Sequence, residues 1–116
     1  MKYITFVSVK TIIIALNIAL VNERIKGNES FKVSDNDDAL TCYTRSIAYD
    51  ASDAKVFANR AMVYIRMELF DLAEDDSSAA IKLDPTYVKA YSRRGTVRFK
   101  RGKYAEVIIF YSKGMI

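Results

Sequence analysis

Two asparagines, Asn28 and Asn59, and three cations, Arg24, Lys89 and Arg93, recur at similar phase in the stretches NERIKGNESF (22–31), FANRAMVY (57–64) and YVKAYSRRG (87–95). Asparagine is a weak helix former whose structural work is normally at caps, so two of them inside helical stretches ask for a binding role. Spacings of three and four extend the pattern into stripes: Arg24, Asn28, Phe31, then Lys55, Asn59, Met62, Arg66, then Lys89, Arg93, Thr96, Lys100. Lysine and arginine supply charge, while amides add directional donors and accept from a peptide backbone. That combination suits a short acidic peptide with a free carboxyl end, whose two neighbouring carboxylates each want charge-assisted donors at about 2.7–2.9 Å. Phe31, Met62 and Ile65 are candidates to receive an apolar ligand side chain, with core packing as the competing use. Any one of these cations alone reads as a solvated helix face. The argument rests on the set.

Other chemistries find little support. The chain of 116 residues has one cysteine, Cys42, and no histidine, which excludes an internal disulfide, a redox pair and a zinc set and fits a reducing compartment. Cys42, with no histidine to activate it, reads as a small buried hydrophobe. No glycine-rich phosphate loop is present, and the inward stripe carries no acid to act as a general base, so hydrolase or transferase activity is not expected, nor is a cofactor. Asp35-Asn36-Asp37-Asp38 lacks the glycine and the glutamate of a calcium loop and reads as a helix start. Glu74-Asp75-Asp76 reads as an outer, solvated face. A net charge of +4 is too small, without a clustered patch, to argue for nucleic acid.

The elements that must position these residues follow from a repeat. A shift of 34 superposes Gly27, Ala61 and Gly95, then Ala39, Ala73 and Val107, then Ser46, Ala80 and Gly114, while Phe70 matches Tyr104 and, two shifts along, Tyr43 matches Tyr111. Small residues at fixed phase let antiparallel helices approach closely, and aromatics fill the space between pairs. Asp84-Pro85 ends one unit. Ser34-Asp35-Asn36-Asp37 and Arg101-Gly102-Lys103 read as turns inside units, with Asp37 or Asp71 capping the second helix. The pattern predicts helices near 20–33, 37–49, 54–67, 71–83, 88–100 and 104–113, six helices in three hairpins, with a core supported by a 51% hydrophobic composition.

Across residues 20–116 this pattern resembles the tetratricopeptide repeat (TPR), with repeats at about 20–53, 54–87 and 88–116, the last one truncated. KGNESF, CYTRSIAYD, FANRAMVY, IKLDPTYVKAYSRRG and GKYAE are similar to the co-chaperone group that includes sperm-associated antigen 1 and RNA polymerase II-associated protein 3. The resemblance implies an all-α, right-handed superhelix of three helical hairpins whose first helices line a concave face. It further implies a two-carboxylate clamp for the acidic EEVD-type C-terminal tails of heat-shock chaperones of the seventy- and ninety-kilodalton classes. The five clamp positions fall on Arg24, Asn28, Asn59, Lys89 and Arg93, with Arg24 standing where lysine is usual; Arg66 is placed among the peptide-binding residues. The expected role is a non-enzymatic adaptor serving a client or a larger assembly complex, without nucleic acid or membrane as partner. The alternative is a structural scaffold that binds a folded partner or its own kind.

Residues 1–19 stand outside the repeats as an apolar leader. The charge-free run from Thr11 to Val21 is shorter than the roughly 20 residues of a membrane-spanning helix. It fits a signal peptide with Lys2 as its basic start, but no small-x-small cleavage site precedes Glu23. Asn28-Glu29-Ser30 is a glycosylation sequon, and a glycan there would occupy the groove, so an intact groove and secretion exclude one another. A cytoplasmic location is the expectation.

Overall fold

The computed structural model describes residues 2–112, with side chains for residues 8–106. Its elements are α1 (Lys2–Lys32), α2 (Asn36–Tyr49), α3 (Ala54–Arg66), α4 (Phe70–Leu83) and α5 (Val88–Ser112), with no strand among the described residues. Each helix packs on the next. In addition α1 meets α3 and α3 meets α5, so the odd-numbered helices form one wall.

The turns show how the repeat is written in the sequence. Two non-glycine residues have positive φ, Ser34 at 60° and Glu68 at 61°, and they lie 34 positions apart at the α1–α2 and α3–α4 corners. The corners between hairpins repeat as well: the Asp50 carboxylate accepts from the Ser52 amide at 3.0 Å and hydroxyl at 2.6 Å, and Asp84 accepts from Thr86 at the same two distances. These Asx turns satisfy backbone donors just where α2 and α4 have ended. Asp53 caps α3 by accepting from the Lys55 amide at 2.9 Å.

Small residues set the helix spacing. A Cβ added at Gly27 would lie 2.8 Å from two carbons of the Tyr43 ring, so α1 and α2 touch where only glycine fits. Tyr43 is fully buried with Ala39, Val56 and Val63, and Phe31, Leu40, Ile47 and Met67 pack around them. A second cluster joins Ala54, Ala58, Ala80 and Ala90, and a third joins Ile65, Ala73 and Val97. Cys42 is buried, as expected of a small apolar residue.

Four expectations are corrected. The turn at Arg101-Gly102-Lys103 does not form; α5 runs straight through it. Residues on either side of Gly102 find partners on α4 in that geometry. Arg101 pairs with Asp71 and Glu74, and the Tyr104 ring lies 5.6 Å from that of Phe70. Five helices therefore stand where six were expected. The α2 cap is Asp35, which accepts from the Asp38 amide at 3.2 Å, whereas α4 has Leu69 at its cap position and no side-chain cap; Asp37 and Asp71 sit inside the first turns instead. The acidic run is not all solvated: Asp76 is buried and receives Nε and Nη2 of Arg60 at 2.7 and 2.8 Å. Burial pushes the Asp76 carboxyl up while the two Arg60 bonds pull it back. Removing one member would leave the other charge buried, a change that costs on the order of 3–5 kcal/mol. Finally, Ile65 is a core residue of the third cluster rather than a groove residue.

Residues 2–19 continue the first helix of the array, with Ile12, Ile13, Ile14 and Ile18 exposed. Among the described residues, no helix is long and apolar enough to cross a membrane.

Candidate functional site

An open cavity of about 520 Å³ lies on the wall of odd-numbered helices, lined by Arg24, Asn28, Lys55, Val56, Asn59, Tyr87 and Lys89. None of these seven is acidic and three are cations. Arg24 and Asn28 are one helical turn apart on α1, Lys55 and Asn59 one turn apart on α3, and Lys89 opens α5. The helix starts after Asp53 and Tyr87 thus aim two lysines at one space.

The amides are oriented before any ligand arrives. Oδ1 of Asn28 accepts the Tyr43 hydroxyl at 2.7 Å and Nδ2 of Asn59 at 3.3 Å. With its oxygen occupied by two donors, the Asn28 amide turns its nitrogen away from them. Burial pushes the Tyr43 phenol up to about 12, so it remains a donor across the ordinary pH range.

The two remaining cations are held differently. Arg24 reaches across to Asp53 at 3.4 Å, a half-exposed pair at the cavity rim. Arg93 is not among the lining residues. Its charge nevertheless acts on the Tyr87 phenol, lowering it against the larger rise from burial, and its Nε is buried without a hydrogen-bond partner.

Of the five sequence-derived clamp candidates, Arg24, Asn28, Asn59 and Lys89 line one cavity and Arg93 is not among its lining residues. Phe31 and Arg66 are occupied with each other: the guanidinium sits 3.9 Å from the Phe31 ring centroid and donates to the Phe31 carbonyl at 3.0 Å. Arg66 thereby satisfies a carbonyl in the last turn of α1 and ties it to α3. Met62 packs on the third core cluster. Tyr87 and Val56 were missed by the reading of helical stripes. Tyr87 precedes α5 and belongs to no stripe; Val56 sits beside Lys55 and is buried at the cavity floor. Lys55 was visible in the stripe without being singled out.

No protein-family model matches the chain. It is similar to RNA polymerase II-associated protein 3 of Mus musculus, 44% identical over 88 residues, which are 76% of this chain and 13% of that protein. The chain thus spans about an eighth of the length of that curated relative. Among solved structures it is similar to the second TPR domain of the human RPAP3 protein in complex with the HSP70 peptide SGPTIEEVD. The TM-score is 0.71 at 42% identity, covering 78% of this chain and 76% of that one. It is also similar to the second TPR of Spaghetti (RPAP3) bound to the HSP90 peptide SRMEEVD, with TM-score 0.71, 39% identity, and 84% and 93% coverage.

Proposed function

Since the chain belongs to the tetratricopeptide repeat family, in kinship with domains solved on acidic chaperone peptides, we propose that it is a non-enzymatic co-chaperone adaptor of the cytoplasm that captures the acidic C-terminal tails of heat-shock chaperones. The observation that carries this reading is the cavity of Arg24, Asn28, Lys55, Asn59 and Lys89, three cations and two oriented amides with no acid among its lining.

The chain end of an acidic tail brings two carboxylates within a few ångströms, its terminal one and a side chain. Each exchanges water for charge-assisted donors, and a planar guanidinium at Arg24 offers a two-point contact that lysine would not. The Asn28 amide, pinned by Tyr43 and Asn59, presents its N–H groups without an orientational cost at the moment of binding. Arg93, whose Nε is buried without a hydrogen-bond partner, supplies a further positive charge to the tail. Such a short ligand is ordered on docking and binds modestly, more weakly as salt screens the cations.

Calorimetric titration with SGPTIEEVD against the same peptide carrying a C-terminal amide tests the proposal. Binding of the free acid with at least a tenfold loss on amidation is expected. Lys89→Ala or Arg93→Ala should each cost about 1.5–3 kcal/mol, the range for a hydrogen bond to a charged group. Equal binding of both peptides would overturn the clamp.

A further inference from the structure

The basic stripe on α5 does not stop at the cavity. Lys89, Arg93, Thr96, Lys100 and Lys103 follow one another at spacings of four, three, four and three, which keeps them on one side of the helix. From Lys89, which lines the cavity, to Lys100 is about 16 Å along the axis, and to Lys103 about 21 Å. Lys100 and Lys103 are exposed and, among the described residues, pair with no acid, whereas their neighbours Arg98 and Arg101 turn to Glu74 and Asp71 of α4. Arg66, 34 positions before Lys100, ends α3 with a cation held against Phe31. The acid tied to α5 at that end is Glu68, which accepts the Tyr104 hydroxyl at 3.1 Å. Three cations outnumber it.

The opposite edge of the wall carries the other sign. Asp50 and Asp84 stand at the corners that lead into α3 and α5, and Asp53 caps α3. A peptide whose last carboxylates occupy the cavity is therefore repelled at that edge, and its upstream residues are drawn along α5 toward Lys100 and Lys103. An extended chain advances about 3.3 Å per residue, so the distance from Lys89 to Lys100 is covered by about five residues. Counting back from the final aspartate, the fifth residue is threonine in SGPTIEEVD and arginine in SRMEEVD.

We propose, on the basis of the tail-binding role of the cavity, that Lys100 and Lys103 are specificity determinants that read the charge of the fifth residue before the chain end. They reject a base there, admit a neutral residue and favour an acid. Of the two tails, this chain selects SGPTIEEVD over SRMEEVD. The clamp holds the end of the peptide whatever precedes it; the two lysines, farther along the same helix face, decide which peptide stays. Because Arg98 and Arg101 are engaged with α4, this part of α5 is fixed and the lysines keep their place relative to the cavity.

The test is calorimetric titration of the full chain with three peptides that differ at that residue alone, SRMEEVD, SAMEEVD and SEMEEVD. Affinity should rise in that order by about two- to fivefold per step, the range of exposed charge pairs, and the steps should shrink as salt is added. In a Lys100→Ala, Lys103→Ala double variant the three affinities should converge, with that of SAMEEVD kept within about threefold of the parent because the clamp is untouched and more distant charge is screened. Both substitutions replace an exposed lysine on a helix by the best helix former, and circular dichroism confirms that the variant is folded. Equal affinities in the parent, a reversed order, or an order that survives in the double variant would each overturn the charge reading and leave the clamp standing. Binding of none of the three peptides would overturn both.

Discussion

Tyr43 joins the core of the first hairpin to the cavity proposed to bind a peptide: its ring lies 2.8 Å from where a Cβ on Gly27 would be, and its hydroxyl donates to Oδ1 of Asn28, 2.7 Å away. The residue that sets the distance between α1 and α2 also orients an amide in the groove. Packing and recognition therefore separate cleanly by atom, the ring serving the first and the oxygen the second.

Tyr43→Phe keeps the ring and removes the donor. Asn28 retains the weaker bond from Asn59 at 3.3 Å, so its amide becomes less fixed without being lost. The expected effect is a two- to tenfold loss in affinity for an acidic tail, about 0.5–1.5 kcal/mol, with a smaller change in thermal stability. Calorimetry and a melting curve on the same variant separate the two; an unchanged affinity would show that Asn28 needs no such support.

Glycine-to-alanine changes at one repeat phase should have opposite signs. At Gly27 the new methyl meets the Tyr43 ring at 2.8 Å and the Cys42 Cβ at 3.3 Å, and overpacking of about 1–3 kcal/mol outweighs the roughly 1 kcal/mol gained in helix propensity. Gly95→Ala meets nothing and copies Ala61, so it should stabilise by about 0.5–1 kcal/mol. Thermal melts of the two variants should bracket the parent, Gly27→Ala below and Gly95→Ala above.

Much of this was legible in residue order. The repeat of small residues foretold the close contact of α1 with α2, and the spacing of Arg24, Asn28, Asn59 and Lys89 foretold that they share a cavity, because helical phase alone fixes which side chains face one way. What escaped detection depended on competition between contacts. Ile65 sits near the groove stripe in sequence but is claimed by Ala73 and Val97; Phe31 is claimed by Arg66. Asp76 looked solvated until its partner, 16 residues earlier, was placed opposite it. The break expected at Gly102 was absent because Arg101 and Tyr104 find α4 partners along a straight helix. Spacing reports direction, not the identity of the neighbour that gets there first.

The two Asx turns give a sign to acid unfolding. Bonds from Ser52 and Thr86 hold the Asp50 and Asp84 carboxyls below their ordinary 3.8. A group depressed in the folded state stabilises above its unfolded value and loses that contribution as pH falls through the folded one. Melting temperature should therefore drop below pH 3.8, and more gently in an Asp50→Asn, Asp84→Asn double variant, whose amide oxygens still accept from the turns. Calorimetric melts of both proteins from neutral pH downward would refute the assignment if their curves ran parallel below 3.8.

Asp53 places a negative charge beside a groove proposed to receive negative charge, and its two oxygens are used differently. Oδ1 caps α3 by accepting from the Lys55 amide, while Oδ2 holds Arg24 at 3.4 Å. Serine can replace the cap but not the ion pair. Because that pair is half exposed, breaking it should leave stability within about 1 kcal/mol of the parent. Arg24 would then be free for a ligand carboxylate that no longer competes with Asp53. Asp53→Ser should accordingly bind an acidic tail several-fold more tightly at low salt, the gain shrinking as ionic strength rises. Titrations at two salt concentrations check it; weaker binding by a fully folded Asp53→Ser would mean that the carboxylate steers Arg24 into place rather than holding it back.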